Sequence, residues 1–137
     1  MVDYEDIARR ILTGSNFISG MGMSLQSAEA DHFVLRVEIP EATKNGYGFM
    51  HGGYLFTVAD TVAGMAALSD GSLYVTEDSH IQFIGNVKEG TLIADARVLH
   101  RGNKISTVLV DISTEDGKLL CHGTFNMFKI PNTTPHA

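Results

Sequence analysis

A chain of 137 residues with 44% hydrophobic and 19% charged side chains is long enough for one packed core and too short for several domains. Its formal charge of −6 argues against general nucleic-acid binding, which needs a basic surface, although a local basic patch could still hold a phosphorylated ligand. The single cysteine, Cys121, excludes an intramolecular disulfide and fits a reducing cytoplasm, and the start MVDYEDIARR lacks the apolar stretch of a secretory signal.

Residues 3–13 read as a short helix, with Ile7, Ile11 and Leu12 as a sparse apolar stripe, Asp3 as cap and Gly14-Ser15 as stop. Residues 17–28, rich in Gly, Met and Ser, read as an irregular first strand, and 29–31 as a turn. Over 32–39 the alternation is clean: Phe33, Leu35, Val37 and Ile39 share one face, His32, Val34, Arg36 and Glu38 the other, until Pro40 stops the strand. A turn-rich loop, 40–50, leads into GGYLFTVADTVAGMAALS, residues 52–69, whose one charged residue is Asp60. So charge-free a helix is a buried one. It is short for a membrane span and carries Asp60 and Gly64, so it reads as a core helix.

After Asp70-Gly71, residues 73–84 read as a strand with a polar middle from Thr76 to His80, and 86–90 as a hairpin loop. Strand 91–101, the two-residue hairpin turn Gly102-Asn103 and strand 104–114 follow, the last with Val108, Val110 and Ile112 on one face. A turn at 115–117 and a strand at 118–130 complete the pattern, which Pro131 ends. One domain over 1–131 is expected, with a disordered tail at 132–137. The order is two strands, one long helix and four strands joined as a meander. This is an α+β arrangement in which a curved antiparallel sheet wraps around one long central helix. With so little helix, one sheet face stays partly uncovered, and self-association is expected.

A carboxylate on a buried helix is costly unless paired, hydrogen-bonded or protonated. Asp60 is therefore either satisfied structurally or placed there because chemistry needs it. At 100° per residue it shares a face with Gly53, Phe56, Thr57, Ala63, Gly64 and Ala67, mostly small residues that would let a ligand come close. Leu55, Val58, Val62 and Met65 opposite read as core. Such a carboxylate could act as a general base; the blander reading is an aspartate tied down by hydrogen bonds or used in subunit packing. Gly52 and Gly53 stand where the loop enters the helix, and there the first amides lack internal partners and the dipole favours negative charge. The Gly52 amide could bind an oxygen on which charge grows, or the two glycines merely permit a tight turn. Cys121 reads as structural, and the six histidines show no metal-ligand spacing.

This order of elements, with His51-Gly52-Gly53, six residues and then Asp60, resembles the hotdog fold of the acyl-CoA thioesterases of the phenylacetate-pathway (PaaI-like) branch, over almost the whole chain. Asn45 matches that family's loop asparagine six residues before the histidine, and Thr76 its serine or threonine near the carboxylate. Arg101-Gly102-Asn103-Lys104 matches the hairpin whose neighbourhood meets the CoA moiety. The resemblance implies hydrolysis of an aryl or short/medium-chain acyl-CoA to free acid and CoA, with Asp60 as general base or nucleophile. Gly52 and Asn45 would polarise the carbonyl, Thr76 would position the water, and His51 would orient the loop. Gly53, Tyr54 and Phe56 are the candidates for substrate contact, and Tyr47, Phe49 and Met50 suggest an apolar or aromatic surroundings for the acyl group. Arg101, Gly102 and Lys104 would meet CoA, unless the two cations are simply solvated hairpin charges.

No cofactor and no metal are expected, CoA being part of the substrate. The expected partners are acyl-CoA and further copies of the chain, a dimer as minimum and a tetramer as the favoured assembly. In the family, the active site is shared: the counterpart of Asp60 faces the loop asparagine and the glycine of a neighbouring subunit. A cytoplasmic enzyme with no nucleic-acid and no membrane partner is implied. The rival from another class is a non-catalytic acyl-CoA-binding sensor on the same scaffold, which would not need a carboxylate facing the acyl group. Hotdog hydratases use a histidine with an acidic residue in differently spaced motifs that are not found, and a ligand-free structural oligomer leaves the glycine entry unexplained.

Overall fold

The computed structural model describes residues 1–131; the expected tail, 132–137, lies outside them. Its elements are α1 (Tyr4–Thr13), β1 (Met23–Glu29), β2 (His32–Glu38), a 3-10 turn at Glu41–Thr43, α2 (Gly52–Leu68), β3 (Leu73–Phe83), β4 (Thr91–Arg101), β5 (Ile105–Thr114) and β6 (Leu119–Ile130). Asp3 caps α1 by accepting the Asp6 N–H at 3.0 Å, and the chain leaves the helix at Gly14. The first strand is shorter than expected. Gly20 and Gly22 have φ of 85° and 82°, and a Cβ on Gly22 would run into the Glu38 carbonyl, so the chain turns through this stretch and becomes a strand only at Met23.

The six strands form one antiparallel sheet in the order β1-β2-β4-β5-β6-β3. α2 packs against β2 to β6, and α1 lies on β1 and α2. This is the expected sheet around a central helix, with one correction to its connectivity. Among the described residues β3 pairs with β6 alone, so residues 86–90 are not the expected hairpin loop. They carry the chain from one edge of the sheet across to β4, which sits beside β2. A period of two says which face a side chain takes and nothing about which strand lies alongside. A smaller shift occurs between β4 and β5. The Gly102 N–H donates to the Ile105 carbonyl at 3.1 Å, so the two linking residues are Asn103 and Lys104, one later than expected.

The core forms between α2 and the inner sheet face. Leu55, Val58, Val62 and Met65 are buried against Phe33, Leu35, Leu92, Val108, Val110, Ile112 and Phe125. Ala63 and Ala67, expected on the open face with Asp60, are fully buried as well. The open stripe is therefore narrower: Gly53, Phe56, Thr57, Asp60 and Gly64, at the spacing of one helix face. β3 is an open edge whose residues Val75, Thr76, Glu77 and Asp78 are exposed, and Phe83 and Ile84 are uncovered just beyond them. The outer sheet face carries polar pairs such as His32–Asp95 at 3.1 Å and His122–Asp111 at 2.7 Å. No helix among the described residues is long and apolar enough to cross a membrane.

Cys121 is buried in β6, and burial pushes its thiol pKa up to about 11. It is therefore a protonated, shielded thiol at neutral pH. The native protein is expected to give no thiolate signal with an aromatic disulfide reagent and one equivalent after unfolding in denaturant; rapid labelling of the native protein would contradict this placement.

Candidate active site

The site is built around the entry to α2. His51 is the N-cap, and its Nδ1 accepts the Gly53 N–H at 2.9 Å. A backbone N–H can only donate, so Nδ1 is unprotonated and the ring proton sits on Nε2. The His51 carbonyl accepts the N–H groups of Tyr54 at 3.0 Å and Leu55 at 3.2 Å. Three of the four entry amides are thereby used, and the Gly52 N–H has no acceptor among the described residues. It points from a helix whose first turn carries no acidic side chain to cancel the positive dipole end.

The loop before it is organised by Asn45. Its Oδ1 accepts the Tyr47 N–H at 2.9 Å and the Phe49 N–H at 3.2 Å, and Gly48 takes φ 82° to close the turn. The two backbone donors identify which end of the amide is oxygen. The Nδ2 group makes no hydrogen bond among the described residues. Asn45 is thus both a turn residue, through its oxygen, and a donor to spare, through its nitrogen.

Asp60 lies two turns further along α2. The Thr76 hydroxyl donates to Asp60 Oδ1 at 2.6 Å, the one hydrogen bond of this carboxylate among the described residues. A bulge in β3 helps to aim it: Thr76 pairs with Met127 and Asp78 with Asn126, leaving Glu77 unpaired. Asp60 is only half-buried, which corrects the premise that the helix encloses its one charge on all sides. Its second oxygen has no partner among the described residues.

Gly52 and Asp60 are eight residues apart on one helix, or about 12 Å along its axis. Bonded carbonyl atoms lie within about 1.3 Å of each other. The Gly52 amide and the Asp60 carboxylate of the same chain are therefore too far apart for both to touch one carbonyl group directly.

Of the remaining candidates, Gly53 and Phe56 share the open stripe of α2 with Asp60, and the others lie elsewhere. Arg101 was expected near CoA phosphates; it is instead a clamp at the far end of α2. Its guanidinium donates to the Ala67 carbonyl at 2.9 Å, the Ala66 carbonyl at 3.2 Å and the Tyr74 hydroxyl at 3.1 Å, and pairs with Asp31 at 2.6 Å and Asp70 at 3.1 Å. Helix carbonyls and carboxylates draw a cation there. Gly102 serves the hairpin, since a Cβ would run into the Ile105 carbonyl, whereas Lys104 is exposed. Tyr54 and Met50 are core: burial pushes the Tyr54 hydroxyl pKa up to about 12, and that hydroxyl donates to the Met21 carbonyl at 2.6 Å. Phe56 tilts against Phe125, with ring centroids 5.6 Å apart, and Tyr47 is exposed at the loop tip. Gly53 is open to solvent, its N–H spent on His51.

A groove of about 400 Å³ runs beside the helix entry, with Phe17, Met21, Lys44, His51, Gly53 and Thr57 among its lining residues. A larger hollow of about 630 Å³ lies beside α1, with Ile7, Ile11, Leu68 and Leu73 in its wall, and includes none of the candidate residues. Among the described residues, no group of three or more His, Cys, Asp or Glu side chains is arranged to hold a metal ion. Sequence reasoning passed over Asn86, whose side chain grips the backbone of Met50. An asparagine after glycine in a loop reads as a turn former, and no local signal tells otherwise.

The Arg101 clamp carries its own expectation. Burial alone would raise the Asp70 carboxyl, but the Tyr74 hydroxyl, the Ser72 N–H and the positive charges of Arg101 and Lys129 outweigh it and hold the group below the usual carboxylate range. A depressed folded value means that this stabilisation is complete above about pH 4 and is lost as pH falls through the folded value. Arg101→Gln is expected to cost about 2 kcal/mol at pH 7, with a smaller gap from wild type at pH 3, read by thermal unfolding. A gap that widens on acidification would contradict the clamp.

The Thioesterase superfamily pattern matches residues 47–121 of this chain. The Escherichia coli acyl-coenzyme A thioesterase PaaI is 29% identical over 99 residues, which are 72% of this chain and 71% of that protein. A Streptococcus mutans protein solved with acetyl CoA bound is 32% identical with a TM-score of 0.77, covering 79% of this chain and 88% of that one. A hypothetical thioesterase from Streptococcus pneumoniae, solved with coenzyme A, is 29% identical with a TM-score of 0.78, covering 82% of this chain and 91% of that one. The pneumococcal protein has also been solved as two alanine variants, at an aspartate and at a threonine sixteen positions further on.

Proposed function

The chain belongs to the thioesterase superfamily and is a thioester hydrolase, and from that premise we propose that it cleaves acyl-CoA to the free acid and CoA with Asp60 as general base or nucleophile. The observation that carries this reading is the Thr76–Asp60 hydrogen bond of 2.6 Å on the open stripe of α2. It holds one carboxylate oxygen in place and leaves the other for a proton or a carbonyl carbon. Asp60 and Thr76 stand sixteen positions apart, the separation of the aspartate and threonine replaced in the pneumococcal protein. The coenzyme A-bound relatives support the class of substrate.

In the general-base form, Asp60 removes a proton from water as the water oxygen bonds to the thioester carbon. The carbonyl oxygen gains negative charge, and the Gly52 N–H and Asn45 Nδ2 receive it. Collapse of the tetrahedral intermediate breaks the C–S bond, and the proton held by Asp60 leaves with the CoA thiolate. In the nucleophilic form, the free Asp60 oxygen itself bonds to the carbon, CoA departs, and water hydrolyses the anhydride.

Because the amide and the carboxylate of one helix are about 12 Å apart, the working site takes Asp60 from one subunit and Gly52 and Asn45 from its partner. The open β3 edge and the uncovered Val75, Phe83 and Ile84 supply a surface for that pairing. A dimer is the minimum assembly and a tetramer the fuller one. Phe17 and Met21 along the groove at the helix entry suit an apolar acyl group, aryl or of short to medium length. Of the hairpin residues expected to meet CoA, Lys104 is exposed and has no ion-pair partner among the described residues, whereas Arg101 is engaged by Asp31 and Asp70, so Lys104 carries that role. The shielded single cysteine fits a cytoplasmic setting, and no cofactor enters the reaction.

Thiol release from a panel of aryl-, short-chain and medium-chain acyl-CoA esters tests the proposal. Turnover is expected for at least one class, and the ranking defines the acyl group. Tight acyl-CoA binding with no thiol release from any ester would make the protein a sensor instead.

A further inference from the structure

Asn86 stands three residues after β3, in the segment that crosses from one sheet edge to β4. Its side chain is laid along Met50 like a fragment of strand. Oδ1 accepts the Met50 N–H at 3.3 Å, and Nδ2 donates to the Met50 carbonyl at 3.0 Å. The same Oδ1 accepts the Val87 N–H at 2.8 Å, which fixes the amide against rotation. From the opposite flank Met50 bridges to Lys44, and the next residue, His51, donates to the Thr43 carbonyl at 2.9 Å. The Met50 side chain is fully buried. Both peptide groups of this residue are therefore held, two positions before Gly52. The Phe83 ring lies 3.6 Å from where a Gly52 Cβ would stand, so the end of β3 also bounds Gly52 from the side.

Resting on the thioesterase reading above, we infer that Asn86 is a positioning residue for the Gly52 amide: its two-point grip on the Met50 backbone aims that N–H at the thioester oxygen. The reach matters because an oxyanion donor must be in place before charge develops, and misplacement of about 1 Å can cost a hundredfold in rate. A grip released at Met50 lets the loop re-seat to satisfy the freed N–H and carbonyl, and the helix entry moves with it. β3 then serves both halves of the chemistry. Thr76 holds Asp60 from its middle, and the residues at its exit hold the amide that serves the partner's carboxylate.

Asn86→Asp keeps the size and the acceptor, removes the Nδ2 donor and sets a carboxylate against the Met50 carbonyl; Asn86→Ala removes both contacts. On the ester that turns over best, both variants are expected to lose about ten- to a hundredfold in kcat, with KM and the inhibition constant of CoA within about twofold of wild type. The Gly52 amide resonance in a nitrogen–proton NMR spectrum should shift in Asn86→Asp. A kcat within about twofold of wild type, or a loss wholly in KM, would overturn the inference. Where the alanine variant does not assemble, the aspartate variant carries the test, and its failure to fold would make Asn86 a folding residue and overturn the inference too. If the wild type releases no thiol from any ester, the thioesterase reading fails. The Gly52 resonance still decides the positioning role: a shift upholds it, and an unmoved signal overturns it.

Discussion

Asp60→Asn is expected to lower kcat by about a thousandfold or more while leaving the fold and the assembly intact. Asparagine has the shape of aspartate, and its amide oxygen can still accept the Thr76 hydroxyl that Asp60 Oδ1 now accepts at 2.6 Å. What it loses is the charge, and with it the ability to take a proton from water or to attack a carbonyl carbon. Half-burial of Asp60 makes the substitution mild for stability, since no enclosed charge partner is left behind. Circular dichroism and size-exclusion chromatography check that the fold and assembly survive, and thiol release reads the chemistry. A near-normal rate in a folded variant would remove Asp60 from the mechanism. Thr76→Val should cost less, about ten- to a hundredfold, because it frees the carboxylate without removing it.

Mixing two dead variants should bring activity back. Gly52 has an ordinary negative φ, and a Cβ there would meet only the Phe83 ring at 3.6 Å, so Gly52→Val can fold. Its branched side chain would cover the unpartnered N–H, and loss of one such donor costs about a hundred- to a thousandfold. Each variant alone is then nearly inactive. In a shared site, a mixed dimer has one position where an intact Asp60 from the valine chain meets an intact Gly52 from the asparagine chain. Random exchange makes half of the dimers mixed, and each has one good site of two, so about a quarter of wild-type activity should return. The chains need unfolding and refolding together, or co-expression, to exchange. If both groups served the substrate from one chain, mixing would restore nothing, and that result would sink the shared site whatever the fate of Asp60.

The amino-acid sequence by itself determined the elements and the chemistry they carry. The bounds of α2, the solitary charge on it, the glycine entry and the alternating strands are local matters. A cap is one side chain bonding an amide two or three residues away, as His51 does to Gly53, and a strand's inner face follows from its period of two, as in Phe33, Leu35 and Val37. The Asp60–Thr76 pair was also legible, but only through the spacing of a resembling family. No local rule links a helix residue to a strand residue sixteen positions on.

What only the tertiary structure decided depends on which strand lies beside which. β3 pairs with β6 instead of β4, because the helix crossover delivers it to the far edge of a curled sheet, and alternation is blind to lateral order. The same placement makes residues 86–90, a hairpin loop by sequence, part of a strap, so that Asn86 reaches Met50 across thirty-six positions. It brings Arg101, a hairpin cation by sequence, against the end of α2, where the helix carbonyls and Asp31 claim it. It leaves Asp60 half-open on a helix that its composition marks as buried throughout, because the sheet covers α2 on one side and leaves a narrow stripe of the helix open.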